Sequence, residues 1–399
     1  MHKYFHKKRE KNLSSCFNNK MDNQFDIIID RRDTSSLKWD KYKGTDIIPM
    51  WVADMDFKSP EAVIDQLTAR VEHAVFGYTK PPEELKQTVV KRLHDRFGWE
   101  VDTEWMIWLP GLVCALHLAC RAAGEPGDEI ITFTPVYPPF FTAPSPDQKL
   151  IEIPLEIQDN RYTFDLEKLK QSITPRSKLL MLCNPHNPVG RAYSREELKA
   201  VTEICLENNI KICSDEIHCE LILDDKKHIP AASISEEVSD SSITLMSPSK
   251  TFNLAGLNCS FAIIPNPSLR QKFARQRYGI VPHVNALGYT AALAAYRDSD
   301  QWHKQLLEYL KTNRDIVEDF IAQTPVLSMT HVETTYLAWI DVSRLNLSNP
   351  VEFFENAGVG LSDGKKFGGE TYLRLNFGCP KELLTEALKR IDQAIKSVY

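Results

Sequence analysis

The stretch that decides the fold runs from Lys178 to Lys250. It holds three short apolar runs: KLLMLC at 178–183, IKIC at 210–213 and ITLM at 243–246. Runs of this length, bounded by turn residues, read as strands buried on both faces. Between the first two, Ser194 followed three residues later by Glu197 is a capping box, which opens a helix over LKAVTEICLENN. Strand, helix, strand in this order predicts parallel strands joined by crossover helices. Ligands of such sheets bind beyond the carboxyl ends of the strands. Chemistry is therefore expected just past each run: Asn184 and Asn187 in NPHNPVG, Asp215 and His218 in SDEIH, and Ser247, Ser249 and Lys250 in SPSK.

Working outward, the pattern repeats. MIWLP is followed by Gly111 and the apolar helix LVCALHLACRAAG, with Gly124 as its closing C′ residue. EIITF at 129–133 is a buried strand, and Tyr137 lies just past its end. CSFAII at 259–264 reads as an antiparallel or edge strand. After Val281 the pattern changes to a charged amphipathic helix over 299–322, short strands at YLAWIDV and TYLRLNFG, and a last helix over 381–398. The expected fold class is α/β, a mostly parallel central sheet in a large domain at 61–299, with a smaller α+β domain built from 25–60 and 300–399. Residues 1–24 are basic and polar and read as a solvated arm, or as sequence upstream of an internal start at Met21.

The 399 residues are 43% hydrophobic and 26% charged, the balance of a folded globular chain. A formal net charge of −6 argues against a nonspecific nucleic-acid binder, which needs a basic surface. No window approaches the roughly 18 apolar residues of a membrane-spanning helix. The nine cysteines are an odd number with no C-x-x-C pair, and most sit in apolar runs. Free thiols in a reducing cytoplasm are expected, rather than a disulfide framework or a zinc site.

One strip of sheet edge would thus gather an acid, a lysine, an aromatic ring, amide donors and hydroxyls. That set suits pyridoxal phosphate. A lysine amine bonds to its aldehyde. A carboxylate keeps the pyridine nitrogen protonated, so that the ring accepts the electron pair of a carbanion. Hydroxyls and backbone N–H groups at a helix N-terminus hold the phosphate.

Four motifs in order carry a resemblance: NPHNPVG, SDEIH, SPSKTFNLAG at 247–256 and YLRLNFG at 372–378. From about Asp46 to its end the chain resembles the fold-type I, aspartate-aminotransferase-like pyridoxal-phosphate enzymes. MWVADMDF at 50–57, VFGYT at 75–79, PVYPPF at 135–140 and DEIH narrow it to the MalY/PatB-type cystathionine β-lyase branch, enzymes that cleave carbon–sulfur bonds of cysteine conjugates. The resemblance implies that Lys250 holds the cofactor and moves the α-proton, and that Asp215 pairs with the ring nitrogen. It implies Asn187 and His218 at the ring 3′-oxygen, Tyr137 stacked on the ring, and Ser247, Ser249 and the Gly111-Leu112-Val113 turn on the phosphate. Arg374 is implied as the clamp on the substrate α-carboxylate, with Asn187 and Tyr137 beside the substrate. Tyr78 is implied to reach the phosphate of a partner subunit, which makes the expected assembly a homodimer with shared sites. Trp51 and Asp54 are candidates for the substrate entrance.

Two departures from the aminotransferase pattern favour the lyase branch. His218 stands where a tyrosine often follows the aspartate, and Asn258 stands where an arginine often follows the lysine. The second leaves the phosphate short of a counter-charge. The expected reaction is α,β-elimination of cystathionine or a related S-substituted L-cysteine to thiol, pyruvate and ammonia. The alternatives are an aminotransferase with the same cofactor, and a MalY-like regulatory protein that retains the lyase site.

Overall fold

The computed structural model describes residues 23–398. The expectations for the arm and for a start at Met21 lie outside the described residues, except that Asn23 caps a short turn at Gln24–Asp26.

The central sheet has seven strands: β1 (Met106–Leu109), β2 (Glu129–Thr134), β3 (Lys149–Pro154), β4 (Ser177–Cys183), β5 (Lys211–Asp215), β6 (Ser242–Met246) and β7 (Ser260–Ile263). Their spatial order is β1-β7-β6-β5-β4-β2-β3. All pairings are parallel except those of β7, which runs antiparallel to β1 and β6. The CSFAII strand is therefore antiparallel but interior, not an edge. Its residues Ser260–Ile263 are all buried, and apolar character on both faces cannot distinguish an interior strand from a covered edge.

The crossover helices cover the faces. Helix α1 (Leu112–Ala123) buries Leu112, Leu116 and Leu118 in one core cluster with the sheet residues Ile130, Leu179 and Leu245. Its end departs from expectation. Gly124 has an extended backbone (φ −132°) and closes the helix through its own N–H to Cys120 O at 3.1 Å, without a left-handed turn. Helix α2 (Arg195–Glu207) opens with the complete capping box between Ser194 and Glu197. In register, Cys183 stands beside Asp215 and Asp215 beside Leu245, so the three polar motifs leave the sheet along one edge.

A second, antiparallel sheet has four strands: β8 (Ser328–Met329), β9 (Leu337–Asp341), β10 (Ser362–Asp363) and β11 (Tyr372–Asn376), in the order β8-β9-β11-β10. The long helix Asp300–Ala322 and the last helix Lys381–Lys396 pack with it through Leu306, Leu310, Leu384 and Ile391. The N-terminal segment joins this part of the molecule. Ile48–Pro49 pairs in parallel with Val359–Gly360, and Phe25 packs on Phe57, Trp302 and Tyr309. Arg374 in β11 is thereby brought over the carboxyl edge of the large sheet.

Candidate active site

A cleft of about 210 Å³ opens at that edge. It is lined by Gly111, Leu112 and Val113 after β1, Tyr137 after β2, and Cys183 and Asn187 after β4. Asp215 and His218 line it from β5, Ser247, Ser249 and Lys250 from β6, and Arg374 from the second sheet. Eleven of the twelve residues expected to touch the cofactor or the substrate thus meet in one place. Tyr78 does not. It is fully exposed and lies on another concave surface, with Phe76, Pro282 and His283.

The cleft's charges are short of partners. Asp215 is 5% exposed, and its carboxylate accepts from the backbone N–H of Ile217 at 3.2 Å. Burial pushes its pKa up to about 7. The Lys250 amine donates to the carbonyl of Ala53 at 2.6 Å. Enclosure by the cleft, with the nearby Arg374 charge, pulls its pKa down to about 8. Arg374 is itself buried, and burial lowers its guanidinium to about 10. It donates to Asn187 Oδ1 and to Trp51 O, both at 2.9 Å, and lies over the Phe367 ring. Among the described residues its Nε has no hydrogen-bond partner, nor has Nδ1 of His218. Burial, with the Lys250 and Arg374 charges, holds His218 neutral. Because Asn187 Oδ1 accepts from Arg374, the free side of that amide is its NH₂ donor.

The end of the cleft beside α1 is built from neutral groups. The first turn of α1 leaves its backbone N–H groups without intrahelical partners, and the helix dipole favours an anion there. Ser247 Oγ donates to Cys259 O at 2.8 Å and accepts from Ser249 N at 3.1 Å. Asn258 also lines the cleft, in a left-handed backbone (φ 52°). Lys250 and Arg374 are the lysine and arginine among the lining residues, and neither belongs to this turn.

Several site residues carried no readable signal. Val52 and Ala53 line the cleft, whereas the neighbours chosen from the sequence are engaged elsewhere. Trp51 Nε1 donates to Lys38 O at 3.0 Å, and Asp54 pairs with Arg31 at 2.8 Å. Tyr336 is buried, and its hydroxyl donates to the same Ala53 carbonyl at 3.1 Å. Ser362 donates to Trp51 O at 2.7 Å. The contacts of Tyr336 and Ser362 use backbone carbonyls as acceptors, and no side-chain pattern announces a carbonyl.

A lysine lowered toward neutrality, an unpaired carboxylate and an arginine fork within one cleft can bind an amino acid, bond to an aldehyde and move a proton at carbon. The likeness to known proteins agrees with this chemistry. Residues 45–391 match the family model of class I and II aminotransferases. Cystathionine β-lyase PatB of Bacillus subtilis (strain 168) is 40% identical over 385 residues, 93% of this chain and 99% of PatB. Among solved structures, OvoB is similar with a TM-score of 0.92 and 45% identity, covering 94% of this chain and 100% of that one. Cystalysin from Treponema denticola, solved with a pyridoxal 5′-phosphate cofactor, gives 0.91 and 37% identity, with 94% and 99% covered. The family match takes in both sheets and every residue of the cleft, and the chain belongs to the class I and II aminotransferases.

Proposed function

We propose that this chain is a pyridoxal-phosphate-dependent carbon–sulfur β-lyase. It takes an S-substituted L-cysteine, cystathionine among them, plus water to a thiol, pyruvate and ammonia. The observation that carries the reading is the meeting of Lys250, Asp215 and Arg374 in one cleft, each with bonding capacity left over. The named activity of the PatB relative and the cofactor of cystalysin support it.

The residues present fit the cofactor. A buried carboxylate pushed up to about 7 for want of a cation is suited to a protonated ring nitrogen. The unpartnered His218 Nδ1 and the free Asn187 NH₂ offer polar atoms for a ring oxygen. When bound, pyridoxal phosphate supplies an aldehyde for amines and a cationic ring that delocalises the electron pair left by a departing α-proton.

The chain's own residues then divide the work. Lys250 would be the amine that holds the cofactor through its aldehyde. With a pKa near 8 it holds a usable neutral fraction, and once free it takes the proton from the substrate Cα. Asp215 would keep a proton on the ring nitrogen, Asn187 and His218 would serve the ring oxygen, and Tyr137 would lie against the ring. Ser247, Ser249 and the N–H groups of Gly111, Leu112 and Val113 would hold the phosphate, with dipoles and hydroxyls in place of the arginine missing at Asn258. Arg374 takes the α-carboxylate through its planar fork, and Phe367 beneath fixes the plane.

The exposed position of Tyr78 has its use in a homodimer, where its hydroxyl serves the partner subunit's phosphate site. The apolar surface around Phe76 and Tyr78 supports this assembly. No helix among the described residues is long and apolar enough to cross a membrane. The eight described cysteines are free, in keeping with a cytoplasmic home. The two sheets support a division into a large domain at 61–299 and a small one from 25–60 and 300–399.

Incubation with L-cystathionine tests the reaction. Thiol, pyruvate and ammonia in equal amounts, without any added 2-oxo acid, are the expected products. Conversion that requires a 2-oxo acid overturns the lyase in favour of an aminotransferase.

A further inference from the structure

The segment 51–57 forms no sheet ladder, yet it runs along the cleft wall, and its carbonyls must find donors. Trp51 O accepts from Arg374 and Ser362, and Ala53 O from Lys250 and Tyr336. Two asparagines donate to carbonyls between and beyond these, where Val52 O also accepts from Asp54 N at 2.9 Å, Asp54 O from Lys38 Nζ at 3.3 Å and Met55 O from Arg31 Nη1 at 3.2 Å. Asn376 is completely buried in β11, two residues after Arg374. Its Nδ2 donates to Val52 O at 2.6 Å and to Asp54 O at 2.7 Å, and its Oδ1 accepts from Gly378 N at 2.8 Å. Asn253 stands three residues after Lys250. Its Nδ2 donates to Met55 O and Phe57 O, both at 2.9 Å, and its Oδ1 accepts from Met55 N at 3.0 Å.

Asn376 therefore grips the two peptide carbonyls that flank Ala53. The backbone is bent here: Asp54 N donates to Val52 O at 2.9 Å, which closes a three-residue turn with Ala53 at its centre. With Val52 O and Asp54 O both held by one amide, that turn is fixed, and its Ala53 carbonyl meets the Lys250 amine at 2.6 Å. We infer that Asn376 is a positioning residue for Lys250, acting through the Ala53 carbonyl, which it fixes as the hydrogen-bond acceptor of the lysine amine. When that amine is free and carries a proton, the carbonyl holds it in place. The inference rests on the proposed function for what Lys250 does, but the geometry it describes stands within the protein alone.

A matched amide serves as control. Asn313 is also completely buried, and its Nδ2 likewise donates to two carbonyls, Phe377 O at 2.9 Å and Cys379 O at 2.8 Å, neither of which accepts from Lys250. Asn376→Ala and Asn313→Ala remove the same kind of staple. In protein stripped of cofactor, the pH dependence of reductive methylation at Lys250, read by peptide mass spectrometry, reports the amine directly. Asn376→Ala is expected to lower the midpoint by about half a pH unit or more, because the ammonium form loses its fixed acceptor, while Asn313→Ala leaves it in place. In the loaded enzyme, the isotope effect of α-deuterated substrate on kcat/KM is expected to rise about twofold in Asn376→Ala and to hold in Asn313→Ala, as proton removal becomes slower relative to other steps. An unmoved midpoint, or an equal shift in both variants, overturns the inference. If Asn376→Ala does not unfold cooperatively, Asn376→Ser is read in the same way, and failure of both to fold makes Asn376 a purely structural residue and overturns it too. Wild-type protein that cleaves no S-substituted cysteine defeats the proposed function, whereas the methylation midpoints still decide the positioning.

Discussion

Two buried carboxylates, Asp56 and Asp215, are 2% and 5% exposed and lie in opposite electrostatic situations. Asp56 accepts from Lys38 Nζ at 2.6 Å, Arg31 Nη1 at 2.7 Å and Trp39 Nε1 at 2.8 Å. Burial alone would raise its pKa, but Lys38, Trp39 and Arg31 together hold it below the usual carboxylate range. Asp215 receives one backbone N–H, and burial carries it up to about 7. The cations divide in the same manner. Lys38, completely buried, is met by the Asp56 carboxylate and the Asp54 carbonyl, whereas Arg374 keeps an unpartnered Nε. The structural cluster is closed upon itself. The cleft holds charged groups whose remaining capacity is directed at something other than protein, and that withheld pairing marks it as the site.

Removal of Lys250 should separate the two regions most widely. Lys250→Ala is expected to reduce pyruvate release from an S-substituted cysteine by about 10³-fold or more, because it removes the proposed point of attachment and base together. The melting temperature of the cofactor-free variant should hold or rise, since a poorly paired cation has gone. Lys38→Met should do the reverse. It takes from buried Asp56 one of its two cations, leaving Arg31 and Trp39, and is expected to cost about 3 kcal/mol in urea unfolding, the low end for breaking a buried pair. A Lys250→Ala variant as unstable as Lys38→Met would erase the distinction.

Most of the cleft was legible because its side chains sit at the ends of strands that apolar runs announce. Cys183, Asp215 and Leu245 come into register, so the residues just past them line up along the sheet edge. Arg374 was legible through its motif, although nothing in the sequence showed that β11 would cross over the large sheet. What escaped is made of backbone or of unexpected burial. Ala53 contributes a carbonyl, which any residue type could supply. Asn376 and Asn253 act by gripping carbonyls far away in sequence, so their identity had meaning only once segment 51–57 was in place. Lys38 was not singled out in the sequence, and its burial is explained by partners distant along the chain, the Asp56 carboxylate and the Asp54 carbonyl. The role proposed for Tyr78 needs a second copy of the chain, and a single chain shows only its exposure.

The two carboxylates also give opposite dependence on pH. Asp56 has a folded pKa below its unfolded one, so its contribution is present above the unfolded pKa, about 4, and is lost as pH falls through the folded value. Asp215 has a folded pKa of about 7, above the unfolded value. Between the two values the native state binds more protons than the unfolded state, and stability falls as pH rises through that window. Asp215→Asn in cofactor-free protein should therefore gain about 2–4 kcal/mol over wild type at pH 8 and almost nothing at pH 4. Urea unfolding at both pH values measures it. A gain independent of pH would show that the carboxylate is not the strained group.

Two buried histidines provide the finest form of the comparison. His186 is bonded at both ring nitrogens: Nε2 lies 2.9 Å from Pro135 O, and Nδ1 lies 2.8 Å from the Tyr193 hydroxyl. A carbonyl can only accept, so Nε2 carries the proton and Nδ1 accepts from Tyr193. Burial lowers its pKa to about 4, which keeps that arrangement neutral. His218 is equally buried and leaves Nδ1 unpartnered. His186→Leu removes partners from two buried groups and is expected to cost about 2–3 kcal/mol. His218→Leu strands none and should cost about 1 kcal/mol or less in the cofactor-free protein, while it shifts the absorption of the bound cofactor. Equal costs in urea unfolding, with an unchanged cofactor spectrum, would make His218 an ordinary core histidine and confine the withheld pairing to the charged groups.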